Sequence, residues 1–377
     1  MRSCGQGIRG FARTIIFCKR LQTRLELIKI CCKLAAEVGG EGGIILVETQ
    51  AFGTIHGQAV TAYTLTNQHG VRLTCLDYGA TWLKLEVPTA VGRQNLLLTS
   101  PSFDGYADPR SYHGKTIGRV AGRIGADQYP QPLPANEGTS TLHGGPHGFS
   151  TLMWAVQATA EQLVFSRYIT SAEDGFPGDI DVKVTYTLTA NDDVLIDFDA
   201  NTDQPTLFNP TNHAYWNLNA GDETIQNHQL MLNSHQRFAV QTNKVPTGEL
   251  LDNAHGGFDF SHPTDLGAAL ATMQTTAEKG YDDIFLVAPH TASEPVAKLT
   301  QGKLGVTMYS RRNALVVFTA NAFGDELDFG EKTSRPYIGI ALEAQTAPSA
   351  VADPRYGDIT LLPGQPRHEQ VRYHFEY

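Results

Sequence analysis

The stretch "IDVKVTYTL", Ile180 to Leu188, alternates without a break. Ile180, Val182, Val184, Tyr186 and Leu188 fall on one side of an extended chain, and Asp181, Lys183, Thr185 and Thr187 on the other. A helix repeats its faces every ~3.6 residues, so this pattern is a strand with one buried and one wetted face. "DVLIDFDANT" repeats the signal, with Val194, Ile196 and Phe198 opposite Leu195, Asp197 and Asp199. "VRLTCLDYGA", "ALVVFTANAF" and "RPYIGIALEAQT" read as further strands, and "AEDGFPGD" and "VPTGELLDNAHGG" as turns between strands. Only "HPTDLGAALATMQTTAEKG" offers helical spacing, for a turn or two. Many short strands with few, short helices predict an all-β fold, a large antiparallel β-sandwich. No repeat or linker interrupts 48–377, so 44–377 is expected to be one domain.

Charge separates the remaining residues from this body. Residues 1–43 hold eight Lys or Arg against three Glu, a balance of +5, and the whole chain carries −10, so the rest carries −15. Leu21, Leu25, Ile28, Cys32 and Ala35 recur there at helical spacing among basic residues. Composition changes abruptly at Gly42–Gly43, so 1–43 reads as a disordered or non-native extension, with translation expected to start near Ile44 to Val47. An acidic body argues against nucleic-acid or anionic-membrane partners, which need clustered Lys and Arg. Beyond the extension the only cysteine is Cys75, which excludes a disulfide framework and fits a reducing, cytoplasmic setting.

Several motifs carry chemistry. In "PYIGIALEAQT", Ile338, Ile340, Leu342 and Ala344 share one face, leaving Tyr337, Gly339, Ala341, Glu343 and Gln345 on the other. Small neighbours around a carboxylate leave room for a ligand, although a solvent-facing strand gives the same pattern. "TLHGGPHGF" places His143 before two glycines that allow close backbone approach. The "GGP" between His143 and His147 forbids the helix that would turn both rings to one metal, so no metal is expected. "GKTIGRVAGRIGAD" lacks the GK[ST] ending of a phosphate loop. Its Arg119 and Arg123 suit either forks onto hydroxyls or buried ion pairs. Asp282 and Asp283, in "GYDDIFL", either hold hydroxyls or cap a turn. In "FNPTNHAYWNL", His213, Tyr215 and Asn217 share a face, and His213 reads either as a packed histidine or as part of a sugar-binding surface.

Taken in order, "TIGRVAGRI", "TLHGG", "EDGFPGDIDVKVTYTL", "NPTNHAYWNL", "VPTGELLD", "GYDDIFL" and "ALEAQ" resemble the aldose 1-epimerase (galactose mutarotase) family over roughly 48–377. The resemblance implies the mutarotase supersandwich and interconversion of α- and β-anomers of free aldoses such as galactose and glucose, without cofactor. It implies Glu343 as catalytic base, His213 as catalytic acid and His143 as a supporting residue. Arg123 and Asp282 would orient the sugar, and Tyr215, Asn212 and Trp216 would form its wall. Gly122, Asp283 and Val316 depart from the family pattern (Asn, His and Gln in many relatives), at positions expected to touch hydroxyls. A sugar-phosphate 1-epimerase and a non-catalytic carbohydrate-binding sandwich remain the alternatives. A monomer or weak homodimer with a small-molecule sugar as its partner is expected.

Overall fold

Two antiparallel sheets of unequal size frame the molecule, and a third closes one flank. The computed structural model describes residues 47–377; the basic segment 1–43 lies outside the described residues. The larger sheet has nine strands. Its centre runs Leu304–Ser310, Arg367–Glu376, Asp193–Thr202, Ile180–Leu188 and Gln162–Ile169, each antiparallel to the next. Along Ile180–Leu188 the residues Ile180, Val182, Val184, Tyr186 and Leu188 are buried and those between them face out or sit half-buried, as the alternation predicts. Val182, Val184, Ile196 and Phe198 are fully buried in the main core, where each such side chain contributes roughly 1.5–3 kcal/mol by leaving water.

The six-stranded sheet runs Tyr215–Trp216, Ile340–Gln345, Ala314–Phe318, Asp282–Val287, Ser234–Val240 and Pro246–Asp252. Its two faces do different work. Ile340, Leu342, Ala344, Leu315, Val317 and Phe285 point into the main core shared with the nine-stranded sheet. The intervening residues point the other way, into smaller apolar clusters and a cavity. A third sheet, Glu48–Ile55 through Gly92–Asn95, supplies Trp82, whose ring meets Trp216 at 5.4 Å and Tyr373 at 5.2 Å between centroids. Trp216 is thus a core residue where the three sheets meet, and the expectation that it walls the sugar site is corrected. Helices are few and short, and the predicted one is Leu266–Met273, capped by the Asp265 side chain accepting from the Ala268 N–H.

The two arginines of "GRVAGRI" part company. Arg119 is fully buried and forks onto Asp174 at 2.6 and 2.9 Å, with its remaining N–H groups on the Pro177 and Gly178 carbonyls and the Thr206 hydroxyl. It is the structural ion pair, tying "GFPG" to the sandwich. Removing one partner of such a pair leaves a bare charge in the interior, at a cost of ~3–5 kcal/mol. Asp174→Ala should therefore lower unfolding stability in urea by about that much; a variant as stable as the parent would show the pair to be incidental.

Candidate active site

The segment Asn209–Asn217 is held against the strand Ile340–Gln345 at several points. Asn209 brackets the peptide of Thr346, donating to its carbonyl at 2.9 Å and accepting from its N–H at 3.0 Å. The Thr211 hydroxyl donates to the Ala344 carbonyl at 2.9 Å, and Tyr215 and Trp216 pair with Ala341 and Ile340. The Asn217 amide donates to the Ile338 carbonyl at 2.7 Å. His213, in the middle of this run, also has its N–H on the Lys115 carbonyl and accepts from the Gly114 N–H. The imidazole is thereby fixed against the face of Ile340–Gln345 that carries Glu343, with Nε2 3.4 Å from Glu343 Oε1.

Sheet register supplies the floor. Ile284, Val316 and Glu343 lie side by side across three strands, and Asp282, Phe318, Ala341 and Tyr215 form the next row. Above these rows is a cavity of about 170 Å³ that Arg123, His143, His213, Tyr215, Asp282 and Glu343 all line. Six of the eight residues expected at a sugar site are therefore brought together, from five separate stretches of chain; Trp216, in the core, is one that is not. Asn212 is the other. Its amide donates to the Gly114 carbonyl and to Tyr186 Oη, and its oxygen accepts from the Ala214 N–H, so it is a buried strut outside the cavity. Asn217 is committed to backbone as well. Tyr337 leaves the Glu343 face because its backbone turns to φ 65°, which breaks strand parity one residue before Ile338.

Glu343 is 2 % exposed and His213 4 %, and Glu343 Oε2 and His213 Nδ1 have no partner among the described residues. Buried polar atoms are almost always paired in native proteins, so unpaired ones at a cavity wall mark a place for a ligand or for chemistry. Burial, aided by the Asp282 charge and opposed by Arg123, pushes Glu343 up to about 8. Burial pushes His213 down to about 4. Between these values the pair holds one proton, and in the unliganded cavity it rests on the carboxyl. This reverses the disposition expected from ordinary pKa values, because both groups lose water and neither gains a close countercharge.

Gly122 and His143 are fitted to each other. A Cβ on Gly122, at φ 80°, would lie 2.9 Å from Pro348, so only glycine fits here. Its N–H donates to His143 Nδ1 at 3.2 Å. With Nδ1 accepting, the neutral ring carries its hydrogen on Nε2, and burial holds the ring neutral by pulling its pKa well below the usual range. His143 is therefore a hydrogen-bond donor. That bears on metal binding: His143, His213 and Glu343 bring ligand atoms within 4.8 Å of one another. A metal on His143 Nε2 would need the hydrogen on Nδ1, facing an N–H, and His213 Nδ1 has no outer acceptor of the kind metal-bound histidines use. The cluster does not fit a metal ion.

Arg123 is held by Glu137, which also accepts from Arg110 Nη2 at 3.1 Å. Neither Glu137 nor Tyr112, whose ring lies 4.8 Å from that of His143, gave a sequence signal. Both sit in irregular loops with no periodicity, and only the fold closes them over the cavity. Of the departures from the family pattern, Gly122 and Val316 line the cavity, while Asp283 does not and accepts from the Asp282 N–H instead.

A buried Glu343–His213 pair at the wall of a cavity in a β-sandwich is an arrangement able to move protons on a small ligand. The family model for aldose 1-epimerase matches residues 61–374. The maltose epimerase of Levilactobacillus brevis is 36% identical over 342 residues, covering 87% of this chain and 98% of that protein. Human galactose mutarotase is 29% identical over 306 residues, covering 78% and 88%. The crystal structure of galactose 1-epimerase from Lactobacillus acidophilus superposes with a TM-score of 0.76 at 27% identity, over 88% of this chain and 99% of that one. The protein is an isomerase acting on a small sugar. The chain belongs to the aldose 1-epimerase family.

Because Glu137 fixes the guanidinium that faces the cavity, Glu137→Gln should act on binding rather than chemistry. KM for glucose should rise about tenfold, the worth of one charged hydrogen bond, with kcat nearly unchanged. An unchanged KM in steady-state polarimetry would remove Glu137 from this role.

Proposed function

We propose that the protein interconverts the α- and β-anomers of free hexoses, with Glu343 as base, His213 as acid and Arg123, His143 and Asp282 orienting the sugar. The observation that carries the reading is the 3.4 Å pair of buried, under-partnered Glu343 and His213 at the cavity wall. The proton that rests on Glu343 must first pass to His213 across that gap, an uphill transfer from a group near about 8 to one near about 4, which Arg123 eases by drawing the carboxyl toward ionisation. Glu343 then takes the proton of the C1 hydroxyl while His213 gives its proton to the ring oxygen. The C1–O5 bond breaks as the C1–O1 carbonyl forms. C1 turns by half a rotation, the carbonyl presents its other face, and the two transfers run backwards to close the opposite anomer. Protons and bonds balance within the pair and the sugar, so no cofactor enters.

Each positioned acid or base is worth ~10²–10⁴-fold in a reaction that already proceeds slowly in water. Arg123 and His143 offer donors and Asp282 an acceptor, while Ile284, Val316 and Phe318 offer apolar contact to the C–H faces of the ring. A sugar phosphate is disfavoured, because the basic groups of the lining are already paired: Arg110 and Arg123 with Glu137, Lys244 with Glu278. A binding-only role is disfavoured by the unpaired acid–base atoms, which a lectin has no use for. The one cysteine among the described residues, Cys75, is a buried thiol, which supports a reducing, cytoplasmic setting. The exposed large apolar side chains, Val91, Tyr168, Leu362 and Tyr377, are scattered in sequence, which supports a monomer or weak homodimer. No helix among the described residues is long and apolar enough to cross a membrane.

Turnover needs one proton on the pair. Below about 4 both groups are protonated and the base is lost; above about 8 both are deprotonated and the acid is lost. The rate of optical-rotation change for freshly dissolved α-glucose should follow a bell between these limits. Glu343→Gln should lower kcat by roughly 10²–10⁴-fold without abolishing sugar binding. Near-normal mutarotation by that variant would discard the assignment.

A further inference from the structure

The reaction proposed above passes through a free aldehyde, and one primary amine lines the cavity in which it forms. Among the described residues that amine belongs to Lys244. We propose that Lys244 is a modification site for the enzyme's own substrate: its amine captures the open-chain aldose as an imine, and Glu278 restrains the capture. This rests on the epimerase reading above and extends it to a step off the catalytic path.

The backbone carries Lys244 to the cavity wall. The residue sits in the turn between Ser234–Val240 and Pro246–Asp252 at φ 64°, a conformation uncommon for residues other than glycine. Its N–H donates to the Gln241 carbonyl and the Gln241 N–H to the Val245 carbonyl, both at 2.9 Å, so the turn is closed from both ends. Nζ lies 2.5 Å from Glu278 Oε1, and the hydrogen bond from Lys244 holds the Glu278 carboxyl below its ordinary value. The Lys244 side chain is 20 % exposed, so the amine is held without being sealed off. The other basic groups nearby are unsuited to the same chemistry. Arg110 and Arg123 present guanidiniums bound by Glu137. Lys115 is fully buried, donates to the Tyr106 carbonyl at 2.8 Å and does not line the cavity.

An uncharged lysine amine forms imines with carbonyl compounds. In water an aldose is almost entirely ring-closed, so its aldehyde is scarce. Each turnover, however, makes one aldehyde inside a cavity of about 170 Å³ that Lys244 lines, and such confinement raises the effective concentration of two reacting groups. When C1 turns away from the Glu343–His213 pair without reclosing, the Nζ lone pair adds to C1. The two amine hydrogens leave with the aldehyde oxygen as water, and a C1–N double bond remains. Nothing is oxidised or reduced. The ion pair with Glu278 keeps the nitrogen an ammonium, which has no lone pair to add, so ring closure outruns capture.

The test incubates the parent enzyme at neutral pH with glucose and sodium cyanoborohydride, whose hydride fixes an imine as a secondary amine, and reads the labelled lysines by peptide mass spectrometry. Lys303, exposed and outside the cavity lining, is the internal reference. The adduct at Lys244 should accumulate at least about fivefold faster than at Lys303. The competitor 1,5-anhydroglucitol, which has no anomeric hydroxyl to open, should bring Lys244 down to the rate of Lys303, and Glu343→Gln should do the same. Glu278→Gln should speed labelling of Lys244 about two- to fivefold, the worth of a partly exposed ion pair, with Lys303 unchanged. Equal labelling of Lys244 and Lys303 in the parent overturns the proposal. So does labelling of Lys244 that neither the competitor nor Glu343→Gln slows. An unchanged rate in Glu278→Gln overturns the restraint assigned to Glu278. A parent enzyme that leaves the mutarotation of glucose unaccelerated in polarimetry would instead overturn the epimerase reading on which the proposal stands.

Discussion

Everything at the catalytic centre depends on how the Asn209–Asn217 segment is bound to the strand that carries Glu343. Sequence separates His213 from Glu343 by 130 residues, and no local preference brings them together. The bracket of Asn209 on the Thr346 peptide, Thr211 on Ala344 and Asn217 on Ile338 does so with side chains that have neutral, directional hydrogen bonds. The buried Arg312 guanidinium holds Asn209 Oδ1 in turn, so the geometry is fixed from behind, while burial with the Asp282 and Arg123 charges sets the electrostatics of the pair. The polar residues of "NPTNHAYWNL" thus divide into those that build the site and the two, His213 and Tyr215, that line the cavity.

Burial then sets the chemistry. The six-stranded sheet presents one face to the main core and the other to the cavity, so a carboxylate at position 343 is as dry as Leu342 beside it. Water is withheld from Glu343 and His213 alike, which drives both toward their neutral forms, raising the proton affinity of the carboxyl and lowering that of the imidazole. Such a pair is poor at holding charge and keeps one exchangeable proton across the neutral range. A reversible anomer exchange needs each group to give and take a proton in turn, because the same two groups must open and close the ring.

Fold and site were legible to different depths. The sandwich could be read from strands such as Ile180–Leu188 because one wetted face makes burial alternate, and alternation is a local property. The parity of Ile340, Leu342 and Ala344 against Glu343 was readable for the same reason. Pattern failed where the backbone leaves its regular form: Tyr337 drops out of the Glu343 face at a positive φ. It also failed where a side chain's partner is remote. Nothing near Asn212 in sequence reveals that its amide meets Tyr186 and Gly114, and nothing around Glu137 points to Arg123. Motif resemblance supplied Glu343, His213, His143, Arg123 and Asp282, and geometry gathers them in one cavity. It could not supply the ionisation of the pair, because a pKa follows from three-dimensional burial and not from residue type.

The central claim is that Glu343 and His213 share a single proton that resides on the carboxyl in the empty site. The most direct measurement is the infrared difference spectrum between the parent enzyme and Glu343→Gln, followed across pH without sugar. A protonated carboxyl band that persists through neutral pH and is lost near about 8 is the predicted result. A carboxylate signature already complete at pH 5–6, where an ordinary glutamate of pKa ~4.3 is ionised, would contradict it.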